Sequence, residues 1–279
     1  MRTSLIVLSI LIAAMAAAQP AIPAACCAPP PAGLTAWWSF DPPGSPSHDT
    51  ALFDNIATHA GGPLAVPGVV NQALQFGGNG AYALAANQVN LDFLNGCPNA
   101  ENFVIDMWIR TTQSSGVTTV LDKRIFRPVT GYSVYLHNGR PGIQLANGAG
   151  SGAPVCGAAN NNTLPCTNET APPSIADGQW HFLAIRVVRC GPNAKGTFFV
   201  DGNIVYTFNP RQGNISNTAP LNIGRRDPAF GVTYFKGAID ELEITKRAMS
   251  DAEIFSIYNA GRRGKCKLHT RGAAAEAVE

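Results

Sequence analysis

The sequence carries little charge, and the two signs nearly cancel. Its 279 residues include 20 lysines and arginines against 18 acidic residues, and only 14% of the chain is charged. A surface that binds nucleic acid or another polyanion normally shows a clear excess of basic residues. The composition therefore implies no polyanionic partner, and we expect no nucleic acid among the ligands.

A long apolar run is missing everywhere after the first eighteen residues. Residues 1–18 begin with Met1 and Arg2, continue with SLIVLSILIAAM and end in three alanines. The run is too short to favour a membrane span, and the pattern is typical of a cleaved secretory signal. We expect a signal peptide and a secreted or extracellular protein without a membrane span. Periplasmic and lipid-anchored locations are alternatives, the second because PAAC ends at a cysteine at position 26.

None of the seven cysteines stands in a C-x-x-C motif, so the sequence lacks the usual zinc-binding pattern. In an oxidising compartment disulfides are the default, and an odd count leaves one cysteine over. The segment CGAANNNTLPC is a local loop that one bond between Cys156 and Cys166 would close.

Two further disulfides depend on how the chain folds. Cys97 stands just before one predicted strand and Cys190 just after another, so antiparallel pairing of these strands would bring them together. Cys266 lies near the end of the chain, and Cys26 or Cys27 is its partner if the two ends meet.

Short runs rich in aromatic and β-branched residues recur along the chain, each bounded by glycine, proline, asparagine or aspartate. This pattern predicts about ten strands. One helix is predicted, in MSDAEIFSIYNAG, where Ser250 and Glu253 have capping-box spacing and Gly261 ends the helix. Many strands with a single late helix predict an all-β fold, a two-sheet antiparallel β-sandwich.

The predicted domain covers residues 33–261. A proline- and alanine-rich linker, 19–32, separates it from the signal, and a flexible tail, 262–279, follows it. Residues 147–174 show no strand pattern and are expected to form a long surface loop.

Three acids stand close together in the predicted last strand, FKGAIDELEI. Strict alternation places Asp240 on the apolar face between the sheets, whereas Glu241 and Glu243 share the outer face. Two carboxylates on one face are the arrangement of a retaining glycosidase. No third acid follows at Thr245 or Lys246, so we interpret the two glutamates as a solvated acidic face.

A second candidate site lies in FVIDMWIRT. Alternation places Asp106, Trp108 and Arg110 on one face of this strand. An exposed tryptophan flanked by an acid and an arginine would suit a sugar ring, through stacking and hydrogen bonds. In the alternative interpretation, the long loop at 147–174 covers the tryptophan.

An ordered set of motifs resembles the laminin-G-like jelly roll of the concanavalin A type, which occurs in many secreted bacterial proteins. The resemblance covers roughly residues 34–260. The motifs are WSFD (38–41), GVVNQALQFGG (68–78), FVIDMWIRT (103–111), DGQWH (177–181), VDG (200–202), LNIG (221–224), GAIDE (237–241) and the segment 242–258.

This resemblance implies a jelly-roll sandwich and a structural calcium ion between its first and last strands. The implied ligands are Asp240, with backbone carbonyls near Asp41 and near Gly77 or Gly78. An arginine, or the amides of a nearby loop, are the alternative partners of Asp240. Gly77 and Ala81 stand where the family often has acids, which is a departure from its pattern.

These patterns together predict a secreted, non-catalytic recognition or adhesion module that binds a glycan or an extracellular protein surface. A glucanase or polysaccharide lyase on the same fold is one alternative. A structural component of an extracellular matrix or surface layer is another.

Overall fold

The computed structural model describes residues 27–41, 44–148, 154–155, 172–210 and 212–267, with only the backbone at 154–155. The expected signal peptide, most of the 147–174 loop, and Cys26, Cys156 and Cys166 lie outside these residues. The strands are β1 (Leu34–Trp38), β2 (Ala57–Ala60), β3 (Leu64–Pro67), β4 (Gln72–Gly77), β5 (Tyr82–Ala85), β6 (Phe103–Thr111), β7 (Val117–Ile125), β8 (Thr130–His137), β9 (Arg140–Asn147), β10 (Pro154–Val155), β11 (Trp180–Val188), β12 (Lys195–Val200), β13 (Asn203–Phe208), β14 (Leu221–Ile223) and β15 (Lys236–Thr245).

The strands form two antiparallel sheets. In the first sheet the order is β13-β12-β11-β6-β15-β4-β3, and β1 also pairs with β15. In the second sheet the order is β10-β9-β8-β7-β14-β5-β2. The predicted all-β sandwich of two antiparallel sheets is confirmed.

Local turn and capping signals place the elements as the sequence predicts. The β8–β9 and β12–β13 hairpins turn at Asn138-Gly139 and Asp201-Gly202, and all four residues have positive φ. Helix α1 (Asp251–Ala260) follows its N-cap residue, Ser250, whose side chain forms the predicted capping box with Glu253. Three short 3-10 helices cover Val89–Leu91, Pro228–Phe230 and Gly261–Arg263.

The main core fills the space between the two sheets. Its first-sheet side includes Phe103, Ile105, Met107 and Ile109 of β6, which alternate along the strand as predicted. A second apolar cluster lies on the opposite face of the first sheet, where α1 covers it. Its buried members are Val104, Trp108, Phe182, Ala184, Phe199, Met249, Ile254 and Ile257.

The two ends of the described chain are joined. A disulfide links Cys27 to Cys266, and backbone hydrogen bonds run from Ala28 N to Gly264 O (2.9 Å) and from Cys266 N to Ala28 O (2.8 Å). Residues 27–28 and 264–266 are therefore joined to each other, although they lie outside the predicted domain of 33–261. A second disulfide joins Cys97 to Cys190, the pairing that antiparallel strands were expected to allow. The bond between Cys156 and Cys166 stays a prediction.

Candidate functional site

The last strand contains a bulge that changes which way its acids point. The β15–β6 ladder is interrupted between Asp240 and Glu243, and Glu241 has a φ of 52°. The extra residue shifts the alternation. Ile239, Leu242 and Ile244 therefore face the core. Asp240 lies on the other face of the sheet, so its predicted position between the sheets is wrong.

Glu241 and Glu243 do not form a solvated acidic face, because the segment around Lys265 covers them. They are only 1% and 0% exposed. The Lys265 ammonium nitrogen lies 3.0 Å from Glu241 Oε2 and 2.6 Å from Glu243 Oε1. Trp37 Nε1 also donates to Glu241 Oε2 at 3.0 Å. Two buried carboxylates held by one buried ammonium cannot reach a substrate, so the pair serves stability.

We call residues 264–267 the C-terminal clasp. Besides placing Lys265 on the two glutamates, the clasp places Lys267 Nζ 2.8 Å from Asp41 Oδ2. Both lysines lie over the ring of Trp37, at 5.0 and 5.9 Å from its centroid. The clasp thus ties the last strand and β1 to the end of the chain.

Asp240 is held by the amides of a loop. Its Oδ2 accepts hydrogen bonds from Val69 N (2.8 Å) and Val70 N (2.9 Å). A Cβ at Gly68 would lie 2.5 Å from the same oxygen, so this approach requires glycine there. Burial raises the pKa of Asp240 to about 8, although the two amides act in the opposite direction.

The expected calcium ligands do not come together. Gly77 is paired with Lys236, four residues before Asp240 along β15, so the 77–78 carbonyls lie far along the strand from that carboxyl group. Asp41 instead binds Lys267 and accepts from Gln72 N at 2.8 Å. The geometry does not fit this particular set of ligands, and calcium binding itself stays a prediction. Within the described residues, no group of three or more His, Cys, Asp or Glu side chains is arranged to hold a metal ion.

Asp106, Trp108 and Arg110 do not form an open sugar-binding surface. Trp108 is only 9% exposed, and its ring lies 5.4 Å from that of Phe182 and 5.8 Å from that of Tyr258. Among the described residues, the element that covers it is α1. Arg110 stacks over Trp180 at 4.8 Å and lines a shallow cleft of about 160 Å³. The stacking role predicted for Trp108 is therefore wrong.

Asp106 is buried. It is 1% exposed, and among the described residues none donates a hydrogen bond to either carboxylate oxygen. Burial raises its pKa to about 7, with a further contribution from Glu241 and an opposing one from Lys265. Its surroundings are therefore those of a structural carboxyl group, and it is closed to a ligand.

The outer face of the second sheet carries a set of polar and aromatic side chains that the sequence analysis did not identify. Neighbouring positions on this face are Leu84 (β5), Asn222 (β14), Asp122 (β7), Ser133 (β8) and Gln144 (β9). Four spacings between strands make this row about 19 Å wide.

Three arginines lie along this row, and we call Arg124, Arg225 and Arg226 the arginine cluster. Arg124 makes a bidentate ion pair with Asp122, through Nε (2.5 Å) and Nη2 (2.8 Å), and its Nη1 donates to Gln144. Its guanidinium lies 4.2 Å from the centroid of Phe230. Asp122 also accepts from Asp227 N at 3.0 Å, which fixes the loop that carries the other two arginines.

Arg225 and Arg226 follow β14 directly. The guanidinium of Arg225 stacks on Tyr82 at 3.6 Å, and its Nε and Nη2 donate to Asn222 Oδ1. Arg226 donates from Nε to Gly231 O. Both arginines are half-buried. The sequence signal for this cluster is the adjacent Arg225-Arg226 pair after LNIG. The small net charge of the whole chain does not reveal such a local cluster.

The chain belongs to a laminin G-type family. The family model described as the concanavalin A-like lectin/glucanases superfamily matches residues 76–255, more than half of the sequence. A search of the curated proteins gives no match.

Several solved structures share the fold. They include the binding domain of Paraclostridial Mosquitocidal Protein 1 (TM-score 0.62, 14% identity, 82% of this chain and 52% of that chain). They also include the binding domain of Botulinum Neurotoxin DC in complex with SialylT (0.59, 12%, 82% and 52%). A third is botulinum neurotoxin type C, described as dependent for cell entry on interaction with two ganglioside molecules (0.59, 12%, 82% and 51%). The chain spans about half the length of these structures, and identities this low show the fold alone.

Proposed function

We propose that this protein is a secreted, non-catalytic recognition module that binds glycans on the outer face of its second sheet. The observation that carries the proposal is the row of stacked and hydrogen-bonded groups on that face, above all Arg225 on Tyr82 and Arg124 on Phe230. Flat aromatic and guanidinium surfaces pack against sugar rings, while polar groups held in place fix their hydroxyls.

The row is held in position before any ligand binds. Asn222 orients Arg225, and Asp122 orients Arg124, through hydrogen bonds of 3.0 Å or less. Both orienting side chains are buried, with 1% exposure for Asn222 and 0% for Asp122. A face whose side chains are already ordered loses less conformational entropy on binding.

The acids that could act in catalysis are paired within the protein, and a tyrosine that could act as a base, Tyr135, is buried. Glu241 and Glu243 are covered by the clasp, and Asp122 is paired with Arg124. Tyr135 is 4% exposed, and burial raises its pKa well above the ordinary value, although Arg124 acts in the opposite direction. A tyrosine acting as a base in a lyase requires the reverse shift. These observations favour recognition over a glucanase or lyase.

Two further observations support recognition outside the cytoplasm. The disulfides Cys27–Cys266 and Cys97–Cys190 are characteristic of oxidising compartments. The neighbouring structures are binding domains, one of them in complex with SialylT and another with rat synaptotagmin II, so glycans and protein surfaces are both partner classes for this fold. None of the helices in the described part of the chain is long and apolar enough to cross a bilayer.

A glycan array probed with the full chain, with and without a calcium chelator, tests the proposal. We expect binding in wild type and its loss in Tyr82→Ala and Arg225→Ala, because both remove the stack. Phe255→Ala is the matched control, since Phe255 is 52% exposed on α1, against the other sheet. An array without any bound glycan, or binding unaffected by both changes, contradicts the proposal.

The same protein should be assayed for turnover on β-glucans and alginate-type polymers. We expect it to release neither reducing ends nor unsaturated products. Release of either by wild type, abolished by Arg225→Ala, would establish the enzymatic alternative.

A further inference from the structure

The arginine cluster has more positive charge than its own acids balance. Three guanidiniums face two carboxyl groups, Asp122 and Asp227, and Asp227 also accepts a hydrogen bond from Ala229 N at 2.9 Å. Lys123, the neighbouring cation in β7, points the other way and pairs with Asp92 at 2.7 Å. The outer face of the second sheet is therefore locally cationic in a chain of net charge +2.

The three arginines differ in what they can offer a ligand. Arg124 already donates from Nε, Nη1 and Nη2 to protein oxygens. Arg225 is held through Nε and Nη2 to Asn222 and by its stack on Tyr82, and among the described residues its Nη1 has no hydrogen-bond partner. Arg226 is held only through Nε to Gly231 O, so neither of its η nitrogens is bonded to a described residue.

The surroundings of Arg226 disfavour its charged form. Burial, and then the nearby charge of Arg124, lower its pKa, while Asp122 raises it. Like charges near a half-buried position destabilise each other, and a bound anion nearby reduces that repulsion. Guanidinium groups with free η edges bind carboxylates and sulfate or phosphate esters through paired, charge-assisted hydrogen bonds.

We infer that the ligand of this face carries an oxyanion, a carboxylate or a sulfate ester, which is bound by Arg225 and Arg226. The inference rests on the proposed function and narrows it to acidic glycans. Arg124 keeps a positioning role, because its donors are already bonded within the protein.

Binding of the full chain to three polysaccharides tests the inference. Heparin supplies sulfate esters, polygalacturonate supplies carboxylates, and laminarin is the neutral β-glucan. We expect heparin or polygalacturonate to bind, with affinity that falls as salt is added, and laminarin to bind at least tenfold more weakly. Which acidic polymer binds more tightly identifies the source of the oxyanion.

The variants separate a built site from general charge attraction. Arg226→Gln and Arg225→Gln should each weaken binding of the acidic polymer by about tenfold or more, the effect of losing one charge-assisted hydrogen bond. Arg262→Gln removes the same charge from an exposed position at the end of α1, and it should change the affinity less than twofold.

Each result leads to a decision. Equal losses from Arg226→Gln and Arg262→Gln would overturn the inference, since the attraction would then be unspecific. Tight binding of laminarin that Arg225→Gln abolishes, without binding of either acidic polymer, would overturn the inference but leave the proposed function standing. Absence of binding to all three polymers, together with an empty array, would overturn both.

Discussion

Burial raises the pKa of two aspartates of the first sheet, Asp106 and Asp240. At Asp240 two loop amides donate to one carboxyl oxygen and oppose this shift. At Asp106 no described residue donates a hydrogen bond to either oxygen, so no such interaction compensates for burial. Its ionisation therefore acts against the folded state.

Replacing Asp106 by asparagine should stabilise the protein at alkaline pH. The pKa is about 7 in the folded protein and 3.8 ordinarily, so the folded state binds more protons in this window and wild-type stability falls as pH rises through it. Each pKa unit corresponds to 1.36 kcal/mol, which gives Asp106→Asn an advantage of up to about 4 kcal/mol at pH 9. Denaturant unfolding at pH 4 and pH 9 measures the difference, which should nearly disappear at pH 4.

The control for this change is Asp92→Asn. Asp92 bonds Lys123 Nζ, which is itself completely buried, so its loss should destabilise the protein at pH 9. If Asp106→Asn destabilised at pH 9 as much as the control, Asp106 would be ionised and paired in the folded protein.

At the level of single residues, the sequence predicted what burial requires but not the identity of every partner. A buried acid needs a partner, and loop amides are one of the partners that the sequence leaves open for Asp240. The interpretation of the two glutamates as a solvated acidic face is wrong, because their partner Lys265 stands more than twenty residues further along the chain. Only the folded structure brings these charges together.

The C-terminal clasp is a four-residue element that acts through its charges more than through its length. Lys265 is 5% exposed and bridges two glutamates that are themselves buried. Such a group is costly to remove, because it leaves two carboxylates uncompensated inside the protein.

Lys265→Met should therefore lower the free energy of unfolding by about 3–5 kcal/mol near neutral pH, the effect of breaking a buried ion pair from one side. Urea unfolding near neutral pH measures it. Lys267→Met is the matched control: the Lys267 side chain is 32% exposed, and its removal should cost about 1 kcal/mol or less. Equal losses for the two lysines would show that burial of Lys265 is unimportant.

Elements with regular periods were predictable, and the one irregular strand was not. Alternation correctly assigned β6, and capping assigned α1. In β15 the bulge occurs at Glu241 without a glycine to mark it, and β15 exchanges its partner β4 for β1 at that point. Nothing local in the segment DELEI encodes this exchange, so the face assignment failed there.

At the scale of the whole molecule, a covalent ring encloses nearly all of the domain. The Cys27–Cys266 bond has a sequence separation of 239 residues, and Cys97–Cys190 encloses a smaller ring of separation 93. The fold itself was predictable because each family motif is a local signal and eight of them occur in order. The outer face of the second sheet was not, because its groups come from separate strands and from a loop.

Replacing Cys27 and Cys266 by serine should lower the free energy of unfolding by about 5 kcal/mol in the chain-entropy model. Because the bond also holds the clasp, adding Lys265→Met to this pair should cost less than the sum of the two effects. Adding it to the Cys97→Ser, Cys190→Ser pair should be additive, since that bond lies elsewhere. Additivity in both cycles would show that the clasp holds Lys265 without the disulfide.

The junction of the two ends also determines how the domain responds to tension. The Cα atoms of Cys27 and Cys266 are 5.0 Å apart, and a disulfide bond links the two residues. A pull applied through the segments before residue 27 and after residue 266 passes along that one bond, so neither sheet bears the force. Tension that runs along the chain from one flanking segment to the other would therefore leave the arginine cluster undisturbed, whereas tension between a flanking segment and a ligand held at that cluster would cross the sheets.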